Sequence, residues 1–138
     1  MNDDVSVIFF DGGSRGNPGP SGCGFVIMNN NETEIIAQGS EFLGKNTNNY
    51  AEYMGVILGM EKALELGINN LIIKGDSQLV IKQLLKEYSV KSPNLIPLYL
   101  KAAKSLLHFN SVKLYHIKRN LNILADKLAN EAMDRLNN

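Results

Sequence analysis

The stretch "VSVIFFDGGSRGNPGPSGCGFVIM", residues 5–28, opens with β-branched and aromatic residues dense enough for a largely buried strand over 5–10. It ends on Asp11, although a buried strand end disfavours a charge. Five glycines and two prolines follow between residues 12 and 22. They predict a hairpin-like connection from Ser14 to Gly22 into a second strand, "CGFVIM".

Outward from that hairpin, the polar "NNNE" (residues 29–32) reads as a turn, and "TEIIAQGSEFLG" (33–44) as a third, edge strand. The period then changes. In "NNYAEYMGVILGMEKALELG" (48–67), Met54, Ile57, Leu58 and Leu64 recur at helical spacing and Gly67 suits the C-terminal cap. Gly55 and Gly59 each cost a helix ~1 kcal/mol relative to alanine. They share one face, which predicts close packing on the sheet. "NLIIKGD" (70–76) is a fourth strand, "SQLVIKQLLKEY" (77–88) a helix beginning at Ser77, and "SPNLIPLYLKAAKSLLHF" (92–109) a helix whose start is set by Pro93 and Pro97. "SVKLYHIK" (111–118) reads as a fifth strand. The final amphipathic helix, "LNILADKLANEAMDRL" (121–136), has an apolar stripe of Leu124, Leu128, Ala132 and Leu136.

The order βββαβααβα contains a strand–helix–strand unit, which implies a parallel pair with a right-handed crossover. The expected fold is therefore α/β, a five-stranded mixed sheet ordered 3-2-1-4-5 with helices on both faces. With 138 residues, the chain fits a single domain spanning 1–138, large enough to bury a core without disulfide or structural metal. One cysteine, Cys23, excludes an internal disulfide and favours an intracellular, cytoplasmic protein. No apolar run approaches 18 residues and Asp3 and Asp4 sit where a signal peptide would be basic, so no membrane association is expected. Fourteen basic and fourteen acidic residues cancel, so a polyanionic partner would have to meet a local basic patch.

Four carboxylates resist a purely structural account when taken together. Asp11 and Asp76 end strands expected to be parallel neighbours, so both emerge at one carboxyl edge, where open α/β sheets place ligands. Glu52 lies in the first turns of the first helix and Asp126 near the start of the last. Taken singly, Asp76 is as well explained as a helix N-cap, Glu52 as a solvated helix residue and Asp126 as a surface or capping carboxylate. Crowded together they cannot all ionise unless a cation joins them, and oxygen-only ligation points to Mg²⁺ or Mn²⁺. Two such ions ~4 Å apart clamp the attacking and leaving oxygens of a phosphodiester displacement.

The pieces "DGGSRGNPGPSG", "TNNYAEYMGVILGMEKAL", "GDSQLVIKQL" and "RNLNILADKLANEA", in that order and over almost the whole chain, resemble ribonuclease H, type 1. The resemblance implies the ribonuclease H-like fold and hydrolysis of the RNA strand of an RNA–DNA hybrid, leaving 5′-phosphate and 3′-hydroxyl ends. It implies two Mg²⁺ ions, with Mn²⁺ as a substitute, held by Asp11, Glu52, Asp76 and Asp126. It further implies that Asn17, Asn48, Asn49 and Gln78 read 2′-hydroxyls through the minor groove, that Thr47 with Lys45 holds a phosphate of the DNA strand, and that Asn122 lies near the scissile phosphate. The amides have the chemistry for this, since a 2′-hydroxyl both donates and accepts. The alternatives are turn chemistry for the asparagines and an N-cap for Asn122. Gly12 and Gly13 would leave room for a nucleic-acid backbone.

His116, ten residues before Asp126, has the spacing of an auxiliary catalytic histidine found in a loop of bacterial relatives. Yet "LYHIKRNLN" is more similar to the short subgroup without that loop, where His116 would be a strand residue. "KEYSVKSPNL" (86–95) stands where longer relatives carry a basic, tryptophan-bearing insertion, and no hybrid-binding domain is expected before the fold. The remaining candidates for phosphate contact are Arg119 with Lys118 and Arg15 with Lys45, each equally readable as a solvated surface charge. Binding of the hybrid, the expected partner, should be weak and salt-sensitive. No obligate protein partner is evident and a monomer is expected. Two rivals remain: another nuclease on the same fold, and a non-catalytic hybrid-binding module or remnant reverse transcriptase domain. A P-loop nucleotide site fails for want of G-K-[ST].

Overall fold

A computed structural model describes residues 4–135. The elements run β1 (Val5–Ser14), β2 (Gly19–Asn29), β3 (Ile35–Asn46), α1 (Asn48–Glu65), β4 (Asn70–Gly75), α2 (Gln78–Leu84), α3 (Ile96–Leu106), β5 (Ser111–His116) and α4 (Ile123–Asp134), with a 3₁₀ turn at Arg119–Leu121. The five strands form one sheet ordered β3-β2-β1-β4-β5, antiparallel at β1–β2 and β2–β3 and parallel at β1–β4 and β4–β5. This is the expected α/β topology.

The glycine-rich segment departs from expectation. β1 runs on through Asp11, Gly12 and Gly13 to Ser14, with Gly12 opposite Cys23 and Gly13 opposite Gly22. The predicted nine-residue loop shrinks to Arg15–Pro18, closed by Arg15 N–H donating to Pro20 O at 2.9 Å. Within it Gly16 and Asn17 take positive φ of 105° and 30°. The space at Gly12 is not left for a nucleic acid either. A Cβ there would lie 2.2 Å from the Ala51 carbonyl carbon, so Gly12 lets α1 lie against the strand.

On that face α1 sits close, as Gly55 and Gly59 predict: a Cβ at Gly55 would fall 2.7 Å from Asp11 O, and one at Gly59 3.0 Å from the Ile8 side chain. The core here joins Ile8, Phe10, Phe25 and Ile27 of the sheet to Tyr53, Val56, Ile57 and Met60 of α1, with α2 and α3 contributing Val80, Ile81 and Ala102. The buried stripe of α1 is thus rotated from the predicted one; Met54, Leu58 and Leu64 are only half-buried. Gly67, at φ 76°, ends the helix as expected. Its N–H donates to Leu64 O while that of Ile68 donates to Ala63 O, a Schellman closure. The Tyr53 hydroxyl donates to Gln83 Oε1, and Gln83 Nε2 donates to Ser89 O, so a buried polar link ties α1 to α2 and the following segment.

The other face carries α4, over β1 and β2. Its buried residues are Ala125, Ala129, Ala132 and Met133, whereas Leu124 is exposed and Leu128 half-buried. Leu136 of the predicted stripe lies outside the described residues. The reason is close approach. A Cβ at Gly22 would meet Ala132 Cβ at 2.7 Å and one at Gly24 would meet Leu128 Cβ at 2.6 Å. At Gly22 and Gly24 the strand has no room for a side chain beneath this helix. Among the described residues no helix is long and apolar enough to cross a membrane.

Candidate metal centre and active site

The parallel register at the centre of the sheet builds the site. Phe10 pairs with Gly75, so the residues that follow them, Asp11 still within β1 and Asp76 just beyond β4, stand at the same level. Asp76 is not a helix cap; Ser77 takes that role, its hydroxyl accepting from Val80 N–H at 3.2 Å. Close packing of α1 brings Glu52 beside Asp11. One carboxylate oxygen from each of Asp11, Glu52 and Asp76 falls within 4.8 Å of the other two. Asp126, in the first turn of α4, lines the same cavity of about 340 Å³ and lies within hydrogen-bonding reach of the Asp11 carboxyl, but outside that set of three.

Burial and mutual repulsion hold protons on Asp11 and Glu52. Asp11, 6% exposed, is raised from an ordinary 3.8 to about 8, first by burial, then by the charge of Asp76 and the Asp126 carboxyl, against the Gly12 N–H. Glu52 is pushed well above the usual range by burial and then by Asp11 and Asp76. Its Oε1 is buried without a hydrogen-bond partner. An orphaned carboxylate oxygen among oxygen-only donors fits a hard divalent cation, which would supply the missing partner and displace the protons.

Around this cluster the predicted contacts sort into several groups. Asn17 and Asn48 are linked: Asn17 Oδ1 accepts from Asn48 N–H at 3.0 Å, and Asn48 Oδ1 accepts from Ser14 N–H at 2.7 Å. Both oxygens serve the backbone, leaving the amide NH₂ groups to face outward. Thr47 is the N-cap of α1, its hydroxyl accepting from Tyr50 N–H at 3.1 Å. Asn49, Lys45 and Gln78 are exposed nearby in sequence, at the end of β3 and the starts of α1 and α2. Arg119 lines the cavity, 80% exposed at its side chain and 3.7 Å from Asp126. Arg15 lines it too and pairs with Asp134 at 2.5 Å.

Asn122 differs from expectation. Although it precedes α4 as its N-cap, its side chain makes no capping bond and is buried, donating to Phe10 O at 2.8 Å and to Asp76 Oδ1 at 3.4 Å. His116 ends β5 opposite Gly75, exposed, and does not line the cavity. No long loop separates β5 from α4; the 3₁₀ turn at Arg119–Leu121 fills the gap. Sequence reasoning missed Ser14, Asn130 and Met133, which also line the cavity. Asn130 had a signal: it stands one helical turn beyond Asp126, where its Nδ2 donates to Asp126 O at 2.9 Å.

Residues 9–132 match the family described as reverse transcriptase-like. A "Ribonuclease HI" of Halobacterium salinarum is 40% identical over 126 residues, 91% of this chain and 63% of that protein. The solved N-terminal RNase H domain of Rv2228c from Mycobacterium tuberculosis superposes with a TM-score of 0.94 at 39% identity, covering 96% of each chain. The chain belongs to the ribonuclease H family. A further ribonuclease H, LC11-RNase H1, solved in complex with an RNA/DNA hybrid, superposes with a TM-score of 0.90 at 33% identity over 96% of this chain and 99% of that one. Whole relatives extend well beyond the matched region. The chain spans 35% of the bifunctional protein Rv2228c of M. tuberculosis, with which it shares 41% identity over 93% of its own length.

Proposed function

We propose that this ribonuclease H hydrolyses the RNA strand of RNA–DNA hybrids by a two-metal-ion route, leaving 5′-phosphate and 3′-hydroxyl ends. The observation that carries the reading is the convergence of Asp11, Glu52 and Asp76 within 4.8 Å, beside Asp126, around an unpartnered buried oxygen. Those four side chains would hold the ions, Mg²⁺ with Mn²⁺ as a substitute. When bound, the ions supply an activated water and charge stabilisation at the phosphodiester. The chain's own contribution is placement. The β1–β4 register sets Asp11, within β1, level with Asp76 at the end of β4, and α1 presses Glu52 onto them, so little reorganisation accompanies the reaction.

The outward amide groups of Asn17 and Asn48, with Asn49 and Gln78, are the candidates for reading the minor groove. Committed oxygens make Asn17 and Asn48 donors toward 2′-hydroxyl oxygens rather than two-way partners. Lys45 with Thr47, and Arg119 with Arg15, are the candidates for phosphate. The Arg15–Asp134 pair is exposed on both sides and so weak enough to exchange for a phosphate. The solved complex of LC11-RNase H1 with an RNA/DNA hybrid supports this substrate class.

The deciding assay compares labelled RNA–DNA hybrid, double-stranded RNA and double-stranded DNA, each with Mg²⁺, Mn²⁺ or EDTA. Metal-dependent cleavage confined to the RNA strand of the hybrid is expected, and abolished by Asp11→Asn without loss of fold. Substantial residual cleavage by that variant would refute the metal assignment.

A further inference from the structure

Asn122 is bonded to three of the four elements that carry carboxylates. Its side-chain Nδ2 donates to Phe10 O, one residue before Asp11, at 2.8 Å, and to Asp76 Oδ1 at 3.4 Å. Its main-chain carbonyl accepts from Asp126 N–H at 3.1 Å. The residue is 1% exposed, and its Oδ1 is buried with no partner. A side chain so enclosed faces the protein interior and does not line the carboxylate cavity. Nor does it cap α4, the ordinary task for an asparagine at that position. The amide is instead directed into the junction where β1 ends, β4 ends and α4 begins.

We infer that Asn122 is a positioning residue, whose amide fixes the Asp76 carboxylate to the end of β1 while its main chain sets the start of the helix bearing Asp126. Asp76 needs such a tie. It follows the last residue of β4, outside the strand pairing that holds Asp11 within β1. Once Ser77 takes the capping role, Asp76 is left with one oxygen toward Asn122 and the cluster otherwise. A donor behind a metal-binding carboxylate orients it and selects which oxygen faces the ion. Loss of such partners commonly lowers metal affinity or activity 10- to 100-fold.

The inference rests on the proposed carboxylate metal site, and Asn122→Ala tests it. Mn²⁺ affinity, read by calorimetry without nucleic acid, should fall about tenfold or more, and kcat on hybrid with it, while KM for the hybrid stays within about twofold. A large rise in KM with unchanged Mn²⁺ affinity would make Asn122 a substrate contact and overturn the inference. A lowered Tm with both quantities unchanged would make it only structural, and would overturn it equally. Should Asn122→Ala not fold, NMR of the unaltered chain decides. The Asn122 side-chain NH₂ should exchange slowly with solvent and shift on addition of Mg²⁺ alone; rapid exchange, or no shift with Mg²⁺, counts against it. If the unaltered chain cleaves no hybrid yet its Mn²⁺ affinity still depends on Asn122, the substrate reading fails and the positioning role stands.

Discussion

Replacing Asp11 by asparagine should make the metal-free protein more stable at neutral pH while removing its activity. The Asp11 carboxyl lies at about 8 in the fold against 3.8 ordinarily. Below pH 3.8 both folded and unfolded chains hold the proton and the group makes no difference. Above it the unfolded chain releases the proton and the folded one retains it, so stability falls by about 1.4 kcal/mol per pH unit until the folded value is passed near pH 8. Between pH 4 and pH 7 the loss is about 4 kcal/mol, on the order of 10–15 °C in Tm for a domain of this size. Asparagine keeps the shape, and its carbonyl oxygen can accept the Gly12 N–H bond, but it has no proton to release. Urea or thermal unfolding in EDTA across pH 4–8 should therefore show a steep decline for the wild type and a shallower one for Asp11→Asn. Asp11 also raises Glu52, so the difference between the profiles reports Asp11 together with its coupling to Glu52. Adding Mg²⁺ at pH 7 should stabilise the wild type far more than the variant. Parallel pH profiles in EDTA would refute the argument that burial and crowding, relieved by a cation, govern this site.

Three further outcomes follow from the packing and charge. Gly12→Ala would drive a methyl group into the backbone of Ala51, 2.2 Å away, and should cost more than about 3 kcal/mol in urea unfolding because neither element can yield. Tyr53→Phe would strip the donor from buried Gln83 Oε1 and should cost about 1–3 kcal/mol, measured the same way, with hybrid cleavage retained in the folded protein. Raising salt from about 50 to 200 mM should raise KM for the hybrid, with a log–log slope that becomes shallower by roughly one in Arg119→Ala; an unchanged slope would remove Arg119 from the phosphate contacts.

The strand order was legible in the sequence because a short run of β-branched and aromatic residues, a single helix and a second such run leave few topologies. The same reasoning brought Asp11 and Asp76 to one edge. It could not supply the register, yet the pairing of Phe10 with Gly75 is what sets the two carboxylates level. Glycine misled twice. Gly12 and Gly13 looked like loop residues because flexibility is the local reading of glycine, whereas the absent Cβ at Gly12 serves helix α1, far away in sequence. The apolar stripe of α4 reads as three leucines and Ala132 because periodicity weighs size, and of these Ala132 is buried. The buried positions are mainly alanines, since Gly22 and Gly24 across the gap leave no room for more. Asn122 stood out in the sequence, but whether an amide faces a ligand or a neighbouring strand is decided by three elements meeting, not by its local sequence.

The two faces of the sheet set opposite limits on how this chain can vary. Under α1, away from the tight contacts at Gly12, Gly55 and Gly59, large side chains such as Phe10, Tyr53, Ile57 and Met60 interlock, and a loss at one position can be made good by growth at another. Under α4, glycine meets alanine and the helix rests nearly on the strand itself. A Cβ added at either glycine lifts the whole helix. Because Asp126 rides on that helix, a single methyl group gained at Gly24 would be felt as a change in the span of the carboxylate cluster. Drift in sequence should therefore accumulate beneath α1 as compensated exchanges, while the seam beneath α4 admits almost none.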